Sequence, residues 1–142
     1  MSRIVDVVRR NGAPVTVPPT ASAQTAAATM TQHNVGATHV HEGDTLVGIF
    51  TERDLARRVV VPGLDPASTP VADVMTRDVV VVQASTSHNE VMRLMQKGHF
   101  RHAPVSDGDK IVGVVSVRDL LRFDKEHAEA ENLPLRQYVY TS

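Results

Sequence analysis

The stretches "GIFTERD" at 48–54 and "GVVSVRD" at 113–119 carry one pattern: a glycine, two apolar residues, a hydroxyl residue, two more, then an aspartate. In each, an apolar run that suits a strand gives way to a hydroxyl residue that suits the cap of a helix. Sliding the chain by 65 positions, from 48 to 113, pairs residues 42–58 with 107–123. Gly43, Asp44, Val47, Gly48, Arg53, Asp54, Leu55 and Arg57 then meet identical partners. A repeat of this kind decides the architecture before any single element does.

Working outward, Ala23, Ala26, Ala27 and Met30 fall at the same offsets as His88, Val91, Met92 and Met95, and both sets have helical spacing. Ser87 with Glu90 reads as a capping box, and Ser22 with Thr25 as its weaker counterpart. Before each helix lies a β-branched run, "VTV" at 15–17 and "VVVV" at 79–82, and after it come "ATHV" at 37–40 and "HAPV" at 102–105. "EGDTLVGIF" and "DGDKIVGVV" read as hairpins, with Gly43-Asp44 and Gly108-Asp109 at the turns. A second helix is predicted from Thr51 and from Ser116.

The order strand, helix, strand, strand, helix therefore occurs twice, which predicts an α+β fold of two β-α-β-β-α repeats. One unit of about sixty residues buries too little surface to be comfortable alone, so the two sheets are expected to pack face to face with pseudo-twofold symmetry. The repeats are placed at 1–62 and 71–123, with the proline-rich stretch at 63–70 as linker and 124–142 as a helical or extended tail. "VADVMT" at 71–76 echoes "IVDVVR" at 4–9 as a lead-in to each copy. Pro134 is expected to end the helical part of the tail.

Composition narrows the function. The 142 residues include no cysteine, which excludes disulfides and thiol chemistry and suits a reducing cytoplasm. No apolar run reaches membrane-spanning length, and the first residues lack the apolar core of a signal peptide. A formal charge of −1 and few aromatic residues argue against nucleic acid as partner.

The doubled motif has two physical readings. Thr51 and Ser116 can cap the helices that follow, with Asp54 and Asp119 at the third helical position near the positive end of the dipole. The same turn can also hold an anion through helix N–H groups and a hydroxyl, while an aspartate one turn along accepts from a ribose diol. Gly48 and Gly113 would let a ligand approach the backbone closely.

The two copies, "GIFTERD" with "GVVSVRD", and "RHAPVSD" at 101–107 resemble a tandem pair of CBS domains, or Bateman module, from about Ile4 to Phe123. The resemblance implies two clefts between the repeats that take adenosine-containing ligands such as AMP, ADP, ATP, S-adenosylmethionine or NAD. It implies that Asp54 and Asp119 hold ribose diols and that Thr51 and Ser116 contact the ribose or α-phosphate. The Asp119 cleft would add Ala13, Val15, Val35, Gly36 and Ala37; the Asp54 cleft would add Val79, Val80, Phe100 and Arg101. Arg101 and His102 would face phosphates, with Arg53 and Arg118 as further candidates. The first copy departs from this pattern, with Gly36 and Ala37 in place of Arg101 and His102, and His39 in place of Pro104. The Asp119 cleft is therefore ranked first.

Seven histidines raise a metal reading, since His39 and His41 would share a strand face, but no acidic cluster or cysteine completes a tetrahedral set. A surface or phosphate-facing imidazole, sensitive to pH near neutrality, is expected instead. Ser85, Ser87 and Ser116 lie in cap or turn contexts without a base, so no enzyme activity and no required cofactor are expected. The resulting expectation is a stand-alone regulatory module with an adenosyl effector, a homodimer by resemblance, acting on an unidentified target protein. A structural dimer with empty clefts and a nucleic-acid-binding accessory protein are the alternatives.

Overall fold

In the computed structural model, which describes residues 4–10 and 14–131, the repeat becomes two copies of one small sheet with its helices. In chain order the elements are α1 (Ile4–Arg10), β1 (Thr16–Val17), α2 (Ala23–His33), β2 (Ala37–Glu42) and β3 (Thr45–Thr51). They continue with α3 (Glu52–Asp54), which opens into a segment of wide, π-type turns at Leu55–Val60, and then α4 (Val71–Val74). The second copy supplies β4 (Val82–Gln83), α5 (His88–Gly98), β5 (His102–Asp107), β6 (Lys110–Ser116) and α6 (Val117–Glu131). Contacts group the described residues within Ala13–Val80 into one compact unit, and those within Met1–Gly12 and Val81–Ser142 into another.

Each unit holds a three-stranded sheet, in the orders β1-β2-β3 and β4-β5-β6. The first two strands run parallel because a helix crosses between them, and the last two form an antiparallel hairpin. Gly43 and Gly108 turn those hairpins at φ 61° and 64°, a conformation that penalises a side chain. Matching register shifts fall at Val40/His41 and Val105/Ser106, so the copies agree even in their irregularities.

The helices start as their caps require. Ser22 Oγ accepts from Thr25 N–H at 3.0 Å, and Ser87 Oγ accepts from Glu90 N–H at 3.2 Å. The box expected at Ser87 is only half formed, because the Glu90 carboxylate is taken by the Arg93 guanidinium one turn on. Both helices end in a left-handed residue, Asn34 at φ 54° and His99 at φ 57°. Met30, Met92 and Met95 are buried, which makes the methionine stripe core.

Two expectations change. The valine run at 79–82 is not one strand: only Val82 and Gln83 pair with β5, while Val79 N–H turns back onto the Arg77 carbonyl at 3.0 Å. Val80 and Val81, outside the ladder, stay 44% and 40% exposed. A β-branched run needs a partner strand along its length, and here the partner offers two rungs.

The spatial units are also offset from the sequence repeats at 1–62 and 71–123. The apolar stripe of α1, Ile4, Val7 and Val8, joins the core of Val91, Val115, Leu120 and Phe123, and Ile4 N–H reaches the Thr86 carbonyl at 3.0 Å. Val71, Val74 and Met75 of the other lead-in join Val17, Phe50 and Val59. Each lead-in thus completes the core of the copy that it does not precede.

Helix α6 runs on past 123 into the stretch read as tail. It reaches Glu131, and Phe123 belongs to the core. Pro134 and the rest of 132–142 lie outside the described residues. Among the described residues no helix is long and apolar enough to cross a membrane.

Candidate functional site

The two turns from strand to helix are built alike. Thr51 Oγ1 accepts from Asp54 N–H at 3.1 Å, and Asp54 Oδ2 accepts from Thr51 N–H at 3.0 Å. Ser116 Oγ accepts from Asp119 N–H at 3.1 Å, and Asp119 Oδ2 accepts from Ser116 N–H at 2.9 Å. Each is a reciprocal capping box. The first N–H of each helix is also taken, Glu52 N by the Gly36 carbonyl at 3.1 Å and Val117 N by the Arg101 carbonyl at 3.0 Å. Capping is therefore real at both turns.

The turns differ in what surrounds the carboxylate. Asp54 is 7% exposed, and its second oxygen accepts from the Thr76 hydroxyl at 3.0 Å. Arg58 Nε stands 3.7 Å from that same oxygen, while Arg58 Nη1 donates to the Met75 carbonyl at 2.8 Å. The lead-in at 71–76 is thus tied onto the Asp54 turn by a hydrogen-bonded cluster. Asp119 is only half-buried, in a turn whose flanking Arg101 and Arg118 are exposed.

Gly48 and Gly113 do not open the backbone to a ligand, which corrects the expectation for them. A Cβ on Gly48 would lie 2.7 Å from Met75 Sδ and 2.8 Å from the Thr76 carbonyl oxygen, and one on Gly113 would lie 2.5 Å from Val8 Cγ1. The close approach is made by the protein's own lead-in segments.

His39 is likewise not a surface imidazole. It is 1% exposed, neither ring nitrogen has a hydrogen-bond partner among the described residues, and its ring stacks on His41 with centroids 5.9 Å apart. Burial first, and the neighbouring His41 second, lower its pKa from 6.5 to about 4. It is neutral near pH 7. Among the described residues no three His, Asp or Glu side chains gather as a metal site.

With this geometry the repeats can be set beside known proteins. The family model of the CBS domain matches twice, over residues 4–61 and 71–126. The chain belongs to the CBS-domain family. CBS domain-containing protein YhcV of Bacillus subtilis is 38% identical over 120 residues, which is 84% of each chain. Among solved structures, the CBS-domain containing protein ATU1752 from Agrobacterium tumefaciens superposes with a TM-score of 0.80 at 34% identity, covering 87% of this chain and 99% of that one. The CBS domain protein PAE2072 from Pyrobaculum aerophilum, crystallised with AMP, has a TM-score of 0.74 over 83% of this chain and 89% of that one; at 24% identity it bears on fold alone.

Within each CBS repeat, some of the residues singled out from sequence adjoin the two turns. Ala37 pairs with Thr51 across the hairpin and His102 with Ser116, while the carbonyls of Gly36 and Arg101 close the helix starts. Gly36 and Ala37 adjoin the Asp54 turn of their own unit. The Val15 carbonyl accepts from His39 N–H at 2.9 Å. Val35 and Phe100 are partly buried against the cores of their own units. Val79 is half-buried, Arg53 is exposed, and Ala13 lies outside the described residues.

Sequence reasoning missed Thr76 and Arg58 at the Asp54 turn. The echo between 71–76 and 4–9 was visible, but that the second lead-in returns to the first turn was not. It also missed the pair of buried His88 and partly buried Asp124, whose signal was available: the 65-residue offset sets them against Ala23 and Val59.

Proposed function

We propose that this tandem CBS pair is a regulatory module that binds an adenosine-containing ligand at the Ser116–Asp119 turn. The ligand class is AMP, ADP, ATP, S-adenosylmethionine or NAD. The observation that carries this reading is the contrast between two identical capping boxes: the Asp54 carboxylate is sealed by Thr76 and Arg58, whereas Asp119 is half-buried beside exposed basic side chains. A hydroxyl that accepts one N–H retains its own proton, so Ser116 can still donate to a ribose or phosphate oxygen. A carboxylate has about four acceptor sites, so Asp119 can cap its helix and still receive a diol. Arg101 and Arg118 supply positive charge for phosphates, with His102 in register with Ser116.

The effect of the ligand is regulatory. A ligand that binds one arrangement of the chain better than another shifts the population toward it, and a partner protein reads the shift. The chain works in the cytoplasm as a homodimer, with no reaction of its own. AMP is the first ligand to try, because a protein of this fold has been crystallised with it.

A thermal-shift panel of AMP, ADP, ATP, S-adenosylmethionine and NAD tests the reading. A ligand at a hundred times its dissociation constant adds about 2.7 kcal/mol of stability. At least one is expected to raise the melting temperature, in a manner that Asp119→Ala abolishes. Silence across the panel would leave a structural module with capped helices. Salt-dependent retention on DNA or RNA would point to the accessory-protein alternative.

A further inference from the structure

His88 and Asp124 occupy the positions where the first repeat has Ala23 and Val59. Ala23 and Val59 are fully buried in one apolar core, and His88 is nearly so at 4% exposure. Nε2 of His88 lies 2.9 Å from Asp124 Oδ1 and 3.2 Å from the Leu120 carbonyl oxygen. Nδ1 lies 3.3 Å from Asn89 Oδ1, and the Phe123 ring tilts against the imidazole with centroids 5.8 Å apart. Leu120 and Asp124 are four residues apart, so they lie on one face of α6 in successive turns. The first residue of α5 therefore grips two turns of α6 through one nitrogen.

Stability alone does not account for this pair. Burying polar and ionisable groups costs desolvation that an apolar pair avoids, and Ala23 with Val59 shows that this fold accepts the apolar solution. What a hydrogen-bonded pair adds is direction, since the hydrophobic effect is non-directional whereas a hydrogen bond weakens steeply away from its preferred angle. The helices differ accordingly. The segment Leu55–Val60, equivalent to the grip region, has wide turns, while α6 keeps regular turns over Val117–Glu131.

We infer that His88 and Asp124 form a positioning clasp that fixes the rotation and turn geometry of α6 on α5, and so holds Asp119 in place at the start of α6. The ligand part of this inference rests on the function proposed above. The clasp itself does not.

The test exchanges the repeats. The double variant H88A/D124V installs the apolar pair of the first repeat, and D124N keeps the volume while removing the charge. Amide hydrogen exchange over 117–124 and AMP affinity by calorimetry are measured on the full chain. The clasp predicts that H88A/D124V melts within about 3 °C of the wild type. It also predicts that exchange in the first turns of α6 rises about tenfold, with none in β2 and β3, and that AMP affinity falls about tenfold. D124N should lie between. If H88A/D124V keeps both wild-type exchange and wild-type AMP affinity, the pair is core filling and the clasp is wrong. If the double variant does not fold, D124N with unchanged exchange in α6 overturns the clasp, and faster exchange confined to α6 supports it. Should the wild type bind no AMP, that counts against AMP as the ligand of the proposed site, and the exchange data still decide the clasp.

Discussion

Asp54 and Asp119 end the same motif, accept the same backbone N–H and cap helices in two copies of one fold, yet their surroundings differ. Asp54 is sealed by Thr76 and Arg58, and the lead-in that carries Thr76 is tied down by paired Ile49 and Thr76 hydrogen bonds of 2.9 Å each. Asp119 keeps the capping box but is less buried. Duplication therefore gives two positions of equal capping geometry but unequal burial, and the ligand site proposed above is the more exposed of them. The same contrast recurs at His39 and Pro104, and at Ala23 and His88.

The largest expected effect breaks the His39 and Pro104 comparison with acid. The folded pKa of His39, about 4, lies below its ordinary 6.5, so the unfolded chain takes up the proton first as pH falls. Its contribution is fully present above about 6.5 and is lost as pH falls toward 4, amounting to about 3 kcal/mol. Urea unfolding from pH 7.5 to 4 should show this acid limb, and His39→Leu should remove that part of it. An unchanged limb in the variant would mean that His39 is not the group responsible.

Next comes the contrast between the aspartates. Asp54→Ala removes a cap and leaves the Thr76 hydroxyl and Arg58 without their carboxylate, a loss of about 2 kcal/mol. Asp119→Ala, at a less buried carboxylate, should cost less, about 1 kcal/mol. Equal losses in denaturant unfolding would erase the distinction between strut and site.

The two glycines sharpen the comparison further. Gly48→Ala drives a methyl onto the Thr76 carbonyl and should cost about 2 kcal/mol, while Gly113→Ala meets only a valine methyl and should cost about 1 kcal/mol. Differential scanning calorimetry of both variants would show that order; a neutral Gly48→Ala would mean that the lead-in at Met75 and Thr76 yields easily.

Much of this was legible in the sequence because the signals were local or repeated. The 65-residue offset fixed the element order, and glycine at 43 and 108 marked both hairpins. Serine at 22 and 87 marked two helix starts. What could not be read required knowing where the lead-ins go. "VADVMT" looked like the opening of the second copy, but Val71, Val74 and Met75 complete the first core, which is why Gly48 seemed available to a ligand and is not. Similarly, alternation placed His39 and His41 on one face without revealing that the face is buried. The valines at 79–81 show the opposite error, since strong β propensity gave a strand where the ladder has only two rungs.

The central claim is that one of the two equivalent carboxylates serves a ligand and the other serves the fold. Isothermal titration of AMP into the wild type, Asp119→Ala and Asp54→Ala tests it most directly. A hydrogen bond to a charged group contributes about 1.5 to 3 kcal/mol, so Asp119→Ala should weaken binding at least about tenfold. Asp54→Ala, measured where it is still folded, should bind within about threefold of the wild type. Equal weakening in both variants, or weakening in Asp54→Ala alone, would contradict the account.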